Sequence, residues 1–135
     1  EIERCYYQNI KNGKDIVLED GRIIENDQLT FDPVPAKNYA FCSDTVYNEA
    51  ILPIIENIDV LYHESTFLQS EENLAKKTLH STAKEAATIA LKANAKQLIL
   101  GHYSTRYESI ELFKEEAETI FPEVLLADDG KSFEF

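Results

Sequence analysis

Three histidines and two carboxylates in this chain share a placement that chemistry can use. Asp44, the pair His63-Glu64 and Gly101-His102 each follow a short apolar run, and His80 precedes Ser81-Thr82 at the head of an alanine-striped segment. A carboxylate with imidazoles suits zinc or a related divalent ion. Two such ions close together clamp an in-line displacement at phosphorus. Each position also has a plainer reading. Asp44-Thr45 is equally a turn, since both side chains bond their own backbone. His63-Glu64 is equally a satisfied polar pair closing a strand, His80 part of a capping group with Ser81 and Thr82, and Arg106 a surface ion-pair donor. It is the shared placement that favours a site. The ligand count falls short: Asp44 and His102 supply two, whereas a catalytic zinc takes three from the protein, and the chain has no HxH or HxxxH spacing.

The elements around these residues must bring them together. Before Lys37 the chain reads as hairpin material, with Asp15–Glu19 and Arg22–Glu25 flanking Asp20-Gly21, a two-residue turn signal. Asp32-Pro-Val-Pro35 forces extended backbone. After Lys37 the pattern alternates. Strands are predicted at Asn38–Cys42, Ile58–Tyr62, Gln97–Leu100, Val124–Leu126 and Lys131–Phe135. Helices are predicted within Asn48–Glu56, where Pro53 must start or kink the helix, and over Thr82–Ala93 and Glu108–Ile120. Thr82 and Glu85 stand at capping-box spacing. Such alternation predicts an α/β domain with a parallel or mixed sheet covered by helices. Ligands of an open α/β sheet bind beyond the carboxyl ends of its strands, so parallel strands would gather Asp44, His63, Glu64 and His102 at one edge, with His80 at a helix start beside them.

Composition narrows the classes. With 44% hydrophobic and 10% aromatic residues there is material for a packed core, and no apolar run, Tyr39–Cys42 included, approaches the length of a bilayer crossing. Two cysteines, Cys5 and Cys42, lack CxxC spacing, so a reducing interior, the cytoplasm, is expected. A net charge of −12 repels phosphate and makes the chain alone a poor general nucleic-acid binder. Glu1 opens the sequence and Met is absent throughout, which reads as a piece of a longer polypeptide.

Five segments carry a resemblance when taken in order: Leu18-Glu-Asp-Gly21, Ala40-Phe-Cys-Ser-Asp-Thr45, His63-Glu-Ser-Thr-Phe67, His80-Ser-Thr-Ala83 and Gly101-His-Tyr-Ser-Thr-Arg-Tyr107. From about Ile10 onward the chain resembles the C-terminal half of ribonuclease Z, the tRNA 3′-processing endonuclease of the metallo-β-lactamase superfamily. Ser65 stands where that family often has Ala. The resemblance implies that residues 1–135 are the C-terminal half of an αββα sandwich, one mixed sheet layer with helices on its outer face. It implies two Zn2+ ions in the complete enzyme, with Asp44 bridging them and His102 a terminal ligand. His80 would act beside the scissile phosphate, oriented by Glu64 and Arg106. His63 and Thr66 would shape the surrounding loop, with Ser81 and Thr82 beside it. A His-x-His-x-Asp-His cluster, a further His and a tRNA-gripping arm would lie upstream.

The same resemblance implies a zinc-dependent hydrolase that removes the 3′ trailer of precursor tRNA, a homodimer with no membrane association, and an isolated fragment that is inactive. Removing the first half of such a sandwich would expose an apolar sheet face and favour self-association. Two alternatives remain open: another hydrolase of the same fold (sulfatase-, lactonase- or phosphodiesterase-like), and a non-catalytic assembly module.

Overall fold

The loop that opens the polypeptide turns helical where hairpin material was expected. The structure, a computed structural model, describes residues 2–135 and divides into two units, Glu1–Ala36 and Lys37–Phe135. The boundary coincides with the change of sequence character at Lys37. In the first unit a 3₁₀ turn over Arg4–Tyr6 leads into α1 (Tyr7–Lys11), followed by β1 (Ile16–Val17) and β2 (Ile23–Ile24). These two strands pair antiparallel, Val17 opposite Ile23.

The turn between them is wider than the Asp20-Gly21 dipeptide predicts. Leu18 N–H donates to the Arg22 carbonyl and Gly21 N–H to the Leu18 carbonyl, leaving Glu19, Asp20 and Gly21 as a three-residue loop. Gly21 holds φ +82° at its end, the left-handed position such a loop requires.

The second unit carries a four-stranded sheet: β3 (Tyr39–Cys42), β4 (Val60–Glu64), β5 (Gln97–Gly101) and β6 (Val124–Leu126). The strands lie side by side in chain order and every pair is parallel. The sheet thus takes the parallel form of the two expected. Lys131–Phe135 is not a strand: a strand needs a ladder partner, and no strand of the sheet pairs with it.

Between β3 and β4 lies α2 (Leu52–Ile55), with Pro53 in its first turn, where a missing N–H costs nothing. Between β4 and β5 come α3 (Glu72–Thr78), which the sequence pattern did not predict, and α4 (Ala83–Lys92). Helix α5 (Glu111–Glu118) precedes β6.

Helix α4 begins with the capping box read from Thr82 and Glu85. Its Ala83, Ala86, Ala87 and Ala90 are wholly buried, and these small side chains let it lie close to the sheet. Together with Phe113 and Ala117 of α5 they pack on Leu61, Leu98, Leu100, Val124 and Leu126. The alternation of strand side chains leaves Phe41 and Tyr62 on the other face, stacked with ring centroids 4.5 Å apart.

Candidate functional site

Parallel register sets the site. Cys42 pairs with His63, and Glu64 with Gly101, so the three strands end nearly level and Asp44, Glu64 and His102 emerge at one rim. Asp44 and His102 both adopt left-handed backbone, φ 49° and 59°. That conformation is costly for residues with a Cβ and tends to persist where surrounding structure and function demand it. Asn57, Leu79 and Asn94 also adopt it, and Asn, Asp and His enter it more readily than other residues with a Cβ.

His80 arrives from the other direction, and α3 delivers it. Leu79 ends this helix at φ 63°. Its N–H donates to Lys76 O and the N–H of His80 to Ala75 O, the two bonds of a Schellman motif. His80 is therefore fixed by a helix C-terminus as well as by the α4 cap that follows. Phe67 N–H donates to Ser81 O, and Ala83 N–H to Phe67 O, which ties the His80 loop to the segment leaving β4.

Glu64 organises the cluster from beneath. It is wholly buried, yet four groups donate to its carboxylate: Thr45 N–H at 2.6 Å, the Thr66 hydroxyl at 2.6 Å, Ser81 N–H at 3.2 Å, and His80 Nδ1 at 3.0 Å. Burial opposes its charge, but these bonds win and hold the carboxyl below its usual range. Above it, ligand atoms of Asp44, His80 and His102 lie within 4.8 Å of one another. His102 Nε2 is 3.5 Å from Asp44 Oδ1, and its Nδ1 is 2.9 Å from the Thr66 hydroxyl. One carboxylate and two imidazoles are a donor set that suits a divalent transition ion, so the side chains present fit such a group.

The remaining predicted residues divide. Thr66 joins the cluster directly. Ser81 does so through its backbone and also donates its hydroxyl to Thr45 O at 2.7 Å, clamping the loop after β3. Thr82 caps α4 and donates to Gln69 Oε1 at 2.9 Å. His63 stands apart, its Nδ1 2.8 Å from the Glu64 carbonyl. Its Nε2 is the one buried side-chain polar atom without a partner among the described residues, and burial pushes its pKa down.

Arg106 does not join Glu64 or His80. Its Nε donates to Ser104 Oγ at 3.2 Å and its guanidinium lies over Phe67, 5.1 Å from the ring centroid. The reason is physical: Glu64 is already saturated by four donors and fully buried, whereas a guanidinium gains more by stacking at the surface. Conversely, Thr45 N–H and α3 were not expected to take part. The Glu72–Lys76 pair, four residues apart and bonded on the surface of α3, was the one sequence signal for that helix.

No family model matches the chain. Among curated proteins it is 50% identical over 91% of its length to ribonuclease Z of Parabacteroides distasonis, and the match covers 40% of that relative. The chain spans about two-fifths of the length of the curated relatives it matches. Of solved structures, the metallo-β-lactamase fold protein YhfI from Bacillus subtilis superposes with a TM-score of 0.66 at 29% identity, covering 71% of this chain and 39% of that one. A long form RNase Z from yeast superposes at 0.59 with 32% identity, covering 67% and 12%. By sequence and by fold the chain is similar to ribonuclease Z proteins of metallo-β-lactamase fold, as the counterpart of their C-terminal part.

Proposed function

We propose that this chain is the C-terminal half of a metallo-β-lactamase-type domain in a zinc-dependent endoribonuclease that removes the 3′ trailer of precursor tRNA. The observation that carries this is the convergence of Asp44, His80 and His102 over one buried carboxylate, in a chain matched along nine-tenths of its length by ribonuclease Z. Asp44 and His102 would hold zinc, two ions in the complete enzyme. Bound there, the metal supplies a Lewis acid for phosphoryl oxygens and a water acidic enough to attack at neutral pH. Glu64 keeps the Nδ1 proton of His80 engaged, which leaves Nε2 as the working nitrogen for proton transfer at the leaving oxygen. Arg106, over Phe67, contributes at the rim. No helix among the described residues is long and apolar enough to cross a membrane, and two free cysteines suit a cytoplasmic setting. With a charge of −12, the grip on tRNA falls to basic residues outside this chain and to the second subunit of a homodimer.

The test is cleavage of a precursor tRNA with a 3′ trailer by a polypeptide that contains this chain and spans the full length of its relatives. A cut after the discriminator base, lost on His80→Ala, is expected; cleavage that survives this change overturns the assignment. The 135-residue chain alone, given zinc and the same RNA, should show no turnover, because Asp44 and His102 cannot by themselves complete a dinuclear site. A second reading follows from the 4.8 Å cluster, in which His80 is itself a ligand. Metal content decides between them: it falls on His80→Ala if His80 is a ligand and is retained if His80 acts on phosphate.

A further inference from the structure

We propose that Thr66 is a positioning residue whose single hydroxyl proton passes the polarity of Glu64 on to His102 and fixes that ring as the Nδ1–H tautomer, leaving Nε2 as the open nitrogen at the metal site. The inference deepens the metal-site reading above, and its first readout is independent of any metal.

The Thr66 hydroxyl has two close neighbours, Glu64 Oε2 at 2.6 Å and His102 Nδ1 at 2.9 Å, and one proton to share between them. An ionised carboxylate only accepts. The hydroxyl proton therefore belongs to Glu64, the hydroxyl oxygen faces Nδ1 with a lone pair, and Nδ1 must bring the hydrogen. The opposite tautomer would place two lone pairs against each other at 2.9 Å in a part-buried contact, which forfeits that hydrogen bond. Its compensation would be an Nε2–H bond to Asp44 Oδ1. That contact is 3.5 Å long and the Asp44 side chain is 72% exposed, beyond good hydrogen-bond range and open to water. The His102 side chain is itself 41% exposed, so it is contact length that decides: 2.9 Å to the Thr66 hydroxyl against 3.5 Å to Asp44.

His80 obeys the same carboxylate directly, its Nδ1 lying 3.0 and 3.2 Å from the two Glu64 oxygens. One buried carboxylate thus sets both rings, His80 by contact and His102 through Thr66. Nε2 of His80 and Nε2 of His102 then carry no proton, in a cluster whose ligand atoms lie within 4.8 Å of one another with Asp44, an arrangement that a divalent cation completes.

The chain has three histidines, so long-range 1H–15N spectra of the labelled 135-residue chain at about pH 8, where free imidazoles are neutral, resolve each ring's tautomer. His102 is expected in the Nδ1–H form. In Thr66→Val it shifts toward Nε2–H while His80 is unchanged, and Thr66→Ser restores the original pattern. An Nε2–H pattern for His102 in the unsubstituted chain overturns the proposal even where Thr66→Val does not fold. So does an Nδ1–H pattern that persists in a folded Thr66→Val. Titration with Co2+ adds a second readout: affinity falls by about 10–100-fold in Thr66→Val and is retained in Thr66→Ser, and equal affinity for Thr66→Val and the unsubstituted chain counts as refutation. If a polypeptide that contains this chain and spans the full length of its relatives binds no Co2+ while His102 is Nδ1–H, the metal-site reading fails and the relay stands.

Discussion

The carboxylate of Glu64 lies 3.0 Å from Nδ1 of His80, although sixteen residues and a whole helix separate the two in the chain. Glu64 is the last residue of a central strand, and His80 follows a helix end.

Glu64→Gln isolates what the charge contributes. The amide keeps the shape but turns an NH2 toward groups that themselves donate, among Thr45 N–H, Ser81 N–H, Thr66 Oγ1 and His80 Nδ1. At least one buried donor loses its partner, at a cost of about 1–3 kcal/mol. Urea unfolding of the variant should show that loss at neutral pH. An unchanged midpoint would mean that water has taken over these bonds.

Acid should loosen the fold in two steps. Burial lowers the His63 pKa below its ordinary 6.5, so between 6.5 and the folded value the unfolded chain takes a proton that the folded one refuses. Stability is then full above pH 6.5 and declines as pH falls below it. Glu64, also depressed, adds a further loss as pH falls below its ordinary 4.5. His63→Asn retains an N–H for the Glu64 carbonyl and cannot titrate, so thermal melts of this variant should lose the upper step and keep the lower. Persistence of the upper step in His63→Asn would assign it to another group.

Leu79→Gly should stabilise the chain. Leu79 sits at φ 63° with its side chain in water, and the left-handed region costs a residue with a Cβ about 1 kcal/mol or more. Glycine removes that strain, though its greater freedom when unfolded returns part of the gain, and a net rise of about 0.5 kcal/mol in unfolding free energy is expected. A fall would show that the Leu79 side chain packs on something that matters more than its backbone.

Much of this architecture could be read beforehand, and the gaps share a cause. Parallel strands ending in Asp44, Glu64 and Gly101-His102 were legible because each apolar run is followed at once by polar chemistry. The α4 start was legible because a capping box is written in two residues, Thr82 and Glu85. Helix α3 was not, since Glu71 makes no side-chain cap and Leu79 takes a place usually given to Gly. Nor did any local signal show that β4 runs on through His63 and Glu64, because that extension depends on pairing with Leu100 and Gly101. The left-handed backbones of Asp44 and His102 and the separation of Arg106 from Glu64 are likewise set by tertiary competition.

Gly101→Ala tests how closely Tyr62 guards the rim. A Cβ on Gly101 would sit 2.3 Å from the Tyr62 hydroxyl and 2.8 Å from two ring carbons, and the ring is held by its stack on Phe41. Overpacking of this kind costs about 1–3 kcal/mol. Because Gly101 directly precedes His102, Co2+ affinity should fall as well. Adding Tyr62→Leu should relieve the clash, so that the double variant is more stable than the sum of the two single effects predicts. Strict additivity would place the strain elsewhere.

Self-association is expected of the isolated chain, and the aromatic face of the sheet is its seat. Helices α4 and α5 cover one face, whereas Phe41 on the other is 62% exposed beside Tyr62, and β3 forms an edge of the sheet. An exposed aromatic next to an unpaired strand edge is the combination that draws copies together. Light scattering of the 135-residue chain should show mass rising with concentration. Phe41→Lys places a charge at the edge and should hold the chain monomeric, at a cost of about 0.5–1.5 kcal/mol for the lost stack on Tyr62. A chain that stays monomeric without the substitution, or an assembly indifferent to it, would mean that some other surface controls association.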